Sequence, residues 1–234
     1  PPNEFIPISE STGLIIPMTI QILHSACDQI VKWQAQNPSE QPLSVAVNLS
    51  GKHFGHPNLV EQIRDVIAES GISPHCLKLE LTESAVMENA ETAILMLKQI
   101  KDTGVQVSID DFGTGYSSLS YLHRFPIDLL KVDRSFVSAM EDNTENGEIV
   151  RTVIALAKAL NLKVVAEGIE SIHQFHQLRI LGCEYGQGYL FSKPLKVADV
   201  ERLLADKSRW QNILPPPAGV VAQNPNISHL RLAQ

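Results

Sequence analysis

The sequence predicts an α/β fold with a largely parallel sheet, a modified TIM-like (β/α)8 barrel whose first strands lie upstream of residue 1. Three observations lead there. Short runs of aliphatic and β-branched residues alternate along the chain with segments whose apolar side chains recur at helical spacing, the pattern of right-handed βαβ units. Six such runs occur, so an eight-stranded barrel lacks two, and the expected place for them is before Pro1. Each run ends in a residue able to bind a cation or a phosphate.

In chain order, a proline-bearing lead-in, FIPISESTGLI (5–15), precedes the helix MTIQILHSACDQIVKWQAQ (18–36), where Ile20, Leu23, Ala26, Cys27, Ile30 and Val31 share a face. The strand LSVAVNLS (43–50), the helix PNLVEQIRDVIAES (57–70) and the strand CLKLELTES (76–84) follow. Residues 90–104 read as a helix closed by Gly104. VQVSIDDFGTGY (105–116) is the anchor of the chain. Val105, Val107 and Ile109 fall on one face and Gln106, Ser108 and Asp110 on the other, with period two. Gly113 and Gly115 then punctuate a turn behind two adjacent carboxylates, Asp110 and Asp111. A short helix (117–125), the strand LLKVDRSF (129–136), a long helix (147–161), the strand LKVVAEGIE (162–170), a helix (171–182), the strand YGQGYLFS (185–192) and a last helix (197–207) continue the alternation. Residues 1–207 therefore form one domain, and 208–234, with three consecutive prolines and no period, read as a linker or surface tail.

Composition excludes several classes of function. The chain has 44% hydrophobic residues and no apolar run near the ~20 that a membrane span requires, so this segment is expected to be globular and to make no membrane contact, and its three scattered cysteines fit a reducing cytoplasm. Net charge is −7 without a basic stripe, which argues against a nucleic-acid polymer as partner. Cys27, Cys76 and Cys183 lie far apart and predict neither a disulfide framework nor a zinc knuckle. His53 with His56 and His173 with His176 stand at helix-ligand spacing, but nothing acidic or thiol-bearing completes either set, so both pairs are expected to be surface or partly buried histidines. A protein-kinase reading of Asp111-Phe112-Gly113 fails, because no glycine-rich loop occurs and His123-Arg124 leads into Phe125.

Asp is common in turns for purely local reasons, so the Asp110-Asp111 pair by itself says little. Its company says more. The strands end in Asn48, Glu80, Asp110 with Asp111, Lys131 with Asp133, Glu167 and Gln187. Barrel enzymes assemble their sites from the carboxyl ends of several strands, so these residues are expected to converge on one rim. Glu80, Asp110, Asp111 and Glu167 gathered there repel one another, and Lys131 alone is too little compensation. An all-oxygen set with an Asn carbonyl suits Mg2+ or Mn2+ rather than zinc. Two such ions bridged by a carboxylate, with Asp110 as the bridge, are a known device for in-line attack of water on a phosphodiester.

The segments NLS (48–50), ELTES (80–84), DDFGTGYSSL (110–119), KVDRSF (131–136), AEGIE (166–170) and QGYLF (187–191) closely resemble the EAL-domain family of bacterial cyclic-di-GMP phosphodiesterases, from about Phe5 to about Leu203. The resemblance implies metal-dependent hydrolysis of cyclic di-GMP to linear pGpG in second-messenger signalling, with two Mg2+ or Mn2+ ions per site. It implies that Asn48, Glu80 and Asp110 hold one metal and Asp110, Asp111 and Glu167 the other. Lys131 would contact the attacking water or a phosphate oxygen, Asp133 and Gln187 would support the water network, and Glu83 would steady the loop after Asp111. A homodimer and an upstream sensory or regulatory domain are further implications. The family's eponymous Glu-Ala-Leu strand, which adds a metal-binding Glu and a substrate-holding Arg, is expected upstream of Pro1. Its absence from this sequence leaves a second hypothesis, a catalytically silent receptor that binds cyclic di-GMP and regulates a partner.

Overall fold

Six strands, β1 (Val45–Asn48), β2 (Leu77–Thr82), β3 (Gln106–Phe112), β4 (Leu129–Val132), β5 (Lys163–Ala166) and β6 (Tyr185–Gly186), pair in parallel and in strict sequence order. The computed structural model describes residues 1–115, 119–140 and 144–206. The expected tail over 208–234 and the first two residues of the expected helix at 117–125 lie outside them. Among the described residues the strands form an open, curled half-barrel with helices in the crossovers and β1 and β6 at its edges.

Strands covered on both faces need apolar side chains on both, and β4 (Leu-Leu-Lys-Val) reads as a nearly continuous hydrophobic run, whereas β2 alternates leucine with Lys78, Glu80 and Thr82. Leu77, Leu79, Leu81, Leu129, Leu130 and Val132 are fully buried. The exceptions are informative, because a charge inside such a strand must find a partner. Lys131 is only 2% exposed and Glu80 only 7%.

The amino-terminal end of the sheet is closed by a compact ion pair. Lys101 Nζ lies 2.7 Å from Asp128 Oδ2 and donates to the Val105 carbonyl at 3.1 Å. Asp128 Oδ2 also accepts from the Val107 backbone N–H at 2.8 Å, and the Asp128 main chain bonds Val107 and Lys163 on either side. One residue thereby sets the register at which β3, β4 and β5 start.

Before β1 come α1 (Pro2–Thr12) and α2 (Ile15–Gln36); between the strands run α3 (Gly51–Phe54), α4 (Leu59–Ser70), α5 (Glu83–Met87), α6 (Ala90–Lys101), α7 (Leu119–Leu122), α8 (Arg134–Ala139), α9 (Thr144–Ala159) and α10 (Ile172–Leu181); and α11 (Val197–Ala205) follows β6. The proline-bearing lead-in is thus a helix of its own. Pro2 sits in its first turn, where a missing N–H costs nothing, and only Pro7 removes an internal bond. Gly13, at φ 80°, ends α1 in the left-handed conformation, and α2 leaves at 119° to it.

Several expected strands are shorter than their sequence runs. The run 129–136 stops at Val132 because Asp133 caps α8, and 76–84 stops at Thr82, which caps α5. β6 spans two residues rather than eight. Gly188 lies so close to Ile169 that a Cβ there would come within 2.2 Å of the Ile169 carbonyl oxygen, and the chain turns away from the sheet with Leu190 N–H bonded to that carbonyl. Gly104, expected as a helix cap, follows the cap residue Asp102 by two positions, at φ 89°. His53 is fully buried rather than surface or partly buried, its Nε2 2.9 Å from Gln62 Oε1, whereas His173 and His176 are exposed on α10.

Candidate active site

The site is built at the carboxyl ends of the strands. Parallel register puts Asn48 beside Glu80 and Thr82 beside Asp110, so residues far apart in sequence arrive at one height. Lys131 stands at the centre. Its Nζ lies 2.6 Å from Glu80 Oε2, 2.7 Å from Asp110 Oδ2 and 2.7 Å from Glu167 Oε1, reaching β2, β3 and the end of β5 from β4.

Asp111 owes its position to irregular backbone. The β3–β4 register shifts between Ile109 and Phe112, and Asp111 takes φ 54°, uncommon for a residue other than glycine. Without that kink two adjacent side chains of a strand would point to opposite faces. With it, one oxygen each of Asp110, Asp111 and Glu167 comes within 4.8 Å of the others. Asp110 Oδ1 accepts from the Asp111 N–H at 2.9 Å. Glu83, 2% exposed, accepts from the Gly113 N–H at 3.0 Å through Oε2, and a Cβ on Gly115 would meet its Oε1 at 3.4 Å. Glu83 therefore clamps the turn behind the aspartates.

Asp133 accepts from the Ser135 N–H at 2.9 Å and from the Ser135 hydroxyl, which orients its carboxylate toward Asp111. The role of Ser135 is not evident from the sequence pattern, although Asp133 at a helix start is an N-cap signal that calls for a donor two or three residues on. Glu167 is fixed by its own N–H, which donates to Val132 O at 3.1 Å, while Gln187 N–H donates to Ala166 O at 2.9 Å. Gly168, at φ 68°, packs its backbone on Arg134, where a Cβ would come within 2.5 Å of the Arg134 Cβ. A cleft of about 920 Å3 opens beside Glu167 and Gln187, with Arg134, Tyr189, Phe191 and Trp33 among its walls. Asn48 is exposed at the rim next to Glu80.

The electrostatics follow from crowding. Burial pushes the Glu167 carboxyl up to about 7; the charges of Asp110 and Glu80 add to the rise and Lys131 opposes it. Asp111 is raised by burial, then by Asp110 and Asp133. Asp133 also feels burial, but the hydrogen bonds from Ser135 and Arg134 outweigh it and hold the carboxyl below its usual range. Burial works against the Lys131 ammonium, yet Glu80, Glu167 and Asp110 overcome it and raise its pKa. Lys131 contacts three carboxylates and Asp111 adds a fourth nearby, so the cluster is richer in acid than in base, which adds to the effect of burial on Glu167. The oxygens of Asp110, Asp111 and Glu167 are hard donors in a partly buried, acid-rich pocket, and so fit a hard divalent cation.

Residues 1–194 match the family model of the EAL domain, and the chain belongs to that family. It is 41% identical over 204 residues to MucR of Pseudomonas aeruginosa, a bifunctional diguanylate cyclase/cyclic di-GMP phosphodiesterase, covering 87% of this chain and 29% of MucR. The chain thus spans less than a third of that relative. Among solved structures, the PaMucR phosphodiesterase in complex with c-di-GMP superposes with a TM-score of 0.81 at 40% identity, covering 85% of this chain and 80% of that one. The manganese and cyclic di-GMP complex of Klebsiella pneumoniae BlrP1 superposes at 0.67 with 30% identity, over 76% of this chain and 44% of that one.

Proposed function

We propose that this chain carries the phosphodiesterase centre of a larger signalling protein and hydrolyses cyclic di-GMP to linear pGpG. The observation that carries this reading is the meeting of Asp110, Asp111 and Glu167 oxygens beside a lysine that contacts Glu80, Asp110 and Glu167. Relatives about 40% identical to this chain bear that activity in their names, which supports it.

The reaction adds water across one phosphodiester: a P–O bond to the leaving ribose oxygen breaks, the water oxygen joins phosphorus, and a proton passes to the leaving oxygen. Asn48, Glu80 and Asp110 would hold one divalent cation and Asp110, Asp111 and Glu167 a second, Mg2+ or Mn2+. Such cations neutralise phosphate oxygens and make bound water more acidic. Lys131 supplies positive charge toward the phosphate or the attacking water. Glu167, which shares Lys131 with Glu80 and Asp110, would offer its carboxylate oxygen to the second cation once the site is loaded. Asp133, held by Ser135, and Gln187, at the cleft, order water around the cluster. Glu83 acts at one remove, keeping Gly113 and hence Asp111 in place.

No single helix among the described residues is long and apolar enough to cross a membrane, and we assign this segment to the cytoplasm. An upstream sensory or regulatory domain agrees with the fraction of MucR that the chain covers, and a homodimer is the assembly we propose.

The test is incubation of the intact protein with cyclic di-GMP and Mg2+, with chelator as control. Appearance of pGpG that stops with chelator is the expected result. Tight binding of cyclic di-GMP with the ring left intact would instead identify a receptor.

A further inference from the structure

An ammonium group has three N–H donors, and that of Lys131 faces three acceptors, on Glu80, Asp110 and Glu167, at 2.6 to 2.7 Å. The side chain is 3% exposed, so water has little access to it. The contacts to Glu80 and Asp110 are hydrogen bonds and that to Glu167 is a close ion pair, so the ammonium is held on three sides within the cluster. A lysine held in that way does not turn its ammonium toward a phosphate oxygen or an attacking water.

The carboxylates it gathers overlap the oxygens suited to a cation, since Asp110 and Glu167 belong to both sets. We propose that Lys131 is the internal counter-ion of the metal-free site: it holds Glu80, Asp110 and Glu167 assembled, competes with a divalent cation for their oxygens, and is armed for substrate only when cation binding releases one N–H. This inference rests on the metal-dependent reading above and adds an order to it, with metal loading preceding the availability of the lysine. Two electrostatic effects support the competition. A like charge a few ångströms away opposes cation entry, and removing it lowers that opposition. The three acids without any cation repel one another, so the lysine stabilises the empty cluster as well.

The experiment compares Mn2+ affinity, by electron paramagnetic resonance of free Mn2+, in wild type, Lys131→Met and Lys131→Arg. Lys131→Met should bind Mn2+ roughly tenfold more tightly or better, since the opposing charge is gone. It should also melt at lower temperature in chelator and gain more from added Mg2+ than wild type does. Lys131→Arg, which keeps the charge, should stay within about threefold of wild-type affinity. A purely structural lysine predicts the reverse for Lys131→Met, weaker Mn2+ binding from a loosened site, and that outcome, or unchanged affinity, overturns the proposal. Should Lys131→Met fail to fold without metal, wild type decides: the 15N-labelled Lys131 ammonium resonance should shift on saturation with diamagnetic Mg2+, and a resonance that stays put overturns the proposal. If wild type binds neither Mn2+ nor Mg2+, the metal-dependent reading itself falls, a result distinct from metal binding that ignores Lys131.

Discussion

Lys101 and Lys131 bring ammonium groups to opposite ends of the same parallel sheet. At the amino end Lys101 meets one carboxylate, Asp128, and the backbone groups of Val105 and Val107 complete the hydrogen bonding. At the carboxyl end Lys131 meets three carboxylates, with Asp111 adding a fourth negative group nearby. The first arrangement is balanced in charge, and the second is not. A balanced pair tied to main chain fixes register and has no reason to bind anything else. An acid-rich cluster stores electrostatic repulsion that an incoming cation can relieve, and such stored cost is tolerated where function requires it.

The comparison predicts opposite consequences for one conservative change at each end. Asp110→Asn in the intact protein should reduce hydrolysis of cyclic di-GMP to background, because the carboxylate shared by both proposed metals becomes a neutral amide. The same variant should melt no lower than wild type in chelator, since one of the mutually repelling charges is removed. Near-normal turnover at modest Mg2+ would show that Asp110 is not the shared ligand.

Asp128→Asn should do the reverse. It weakens charge-assisted bonds to Lys101 and to the Val107 N–H, at a cost of about 2 kcal/mol, discounted because both side chains are more than a quarter exposed. Chemical denaturation should reveal that loss while kcat stays within about twofold of wild type. A fall in kcat at full folding would mean that the two ends of the sheet are coupled.

The smallest expected effect concerns a buried group outside both clusters. Burial pushes the His53 imidazole below its ordinary value of about 6.5, and although the Gln62 bond raises it, His56 lowers it further. The folded protein therefore prefers neutral His53, and the unfolded chain takes up the proton first as pH falls. The stability this group contributes is present above about pH 6.5 and declines below it. Between pH 7.5 and 5.5 it should amount to about 1 kcal/mol at most, measured as a pH-dependent difference in melting between wild type and His53→Gln. A difference that does not vary with pH would mean that His53 is not held neutral by its burial.

The alternation of strand and helix, the six strands and the polar residue closing each of them were legible in the chain, because period-two and helical patterns are local and need no knowledge of neighbours. So were Asp110, Asp111, Glu80 and Glu167 as candidates, since carboxylates at the ends of apolar strands are costly unless used. Strand length was less legible. Asp133 and Thr82 end their strands by capping helices, and Gly188 turns the chain off the sheet only because the backbone of Ile169 stands against it. The helix at Pro2–Thr12 was hidden by its prolines, of which the first turn absorbs Pro2 while Pro7 costs one internal bond. What tertiary structure alone decided is the pairing of charges. Lys131 and Glu80 are 51 positions apart, and whether that ammonium would face one acid or three depends on the register of β2, β3, β4 and β5 and on the kink at Asp111, which no local pattern encodes.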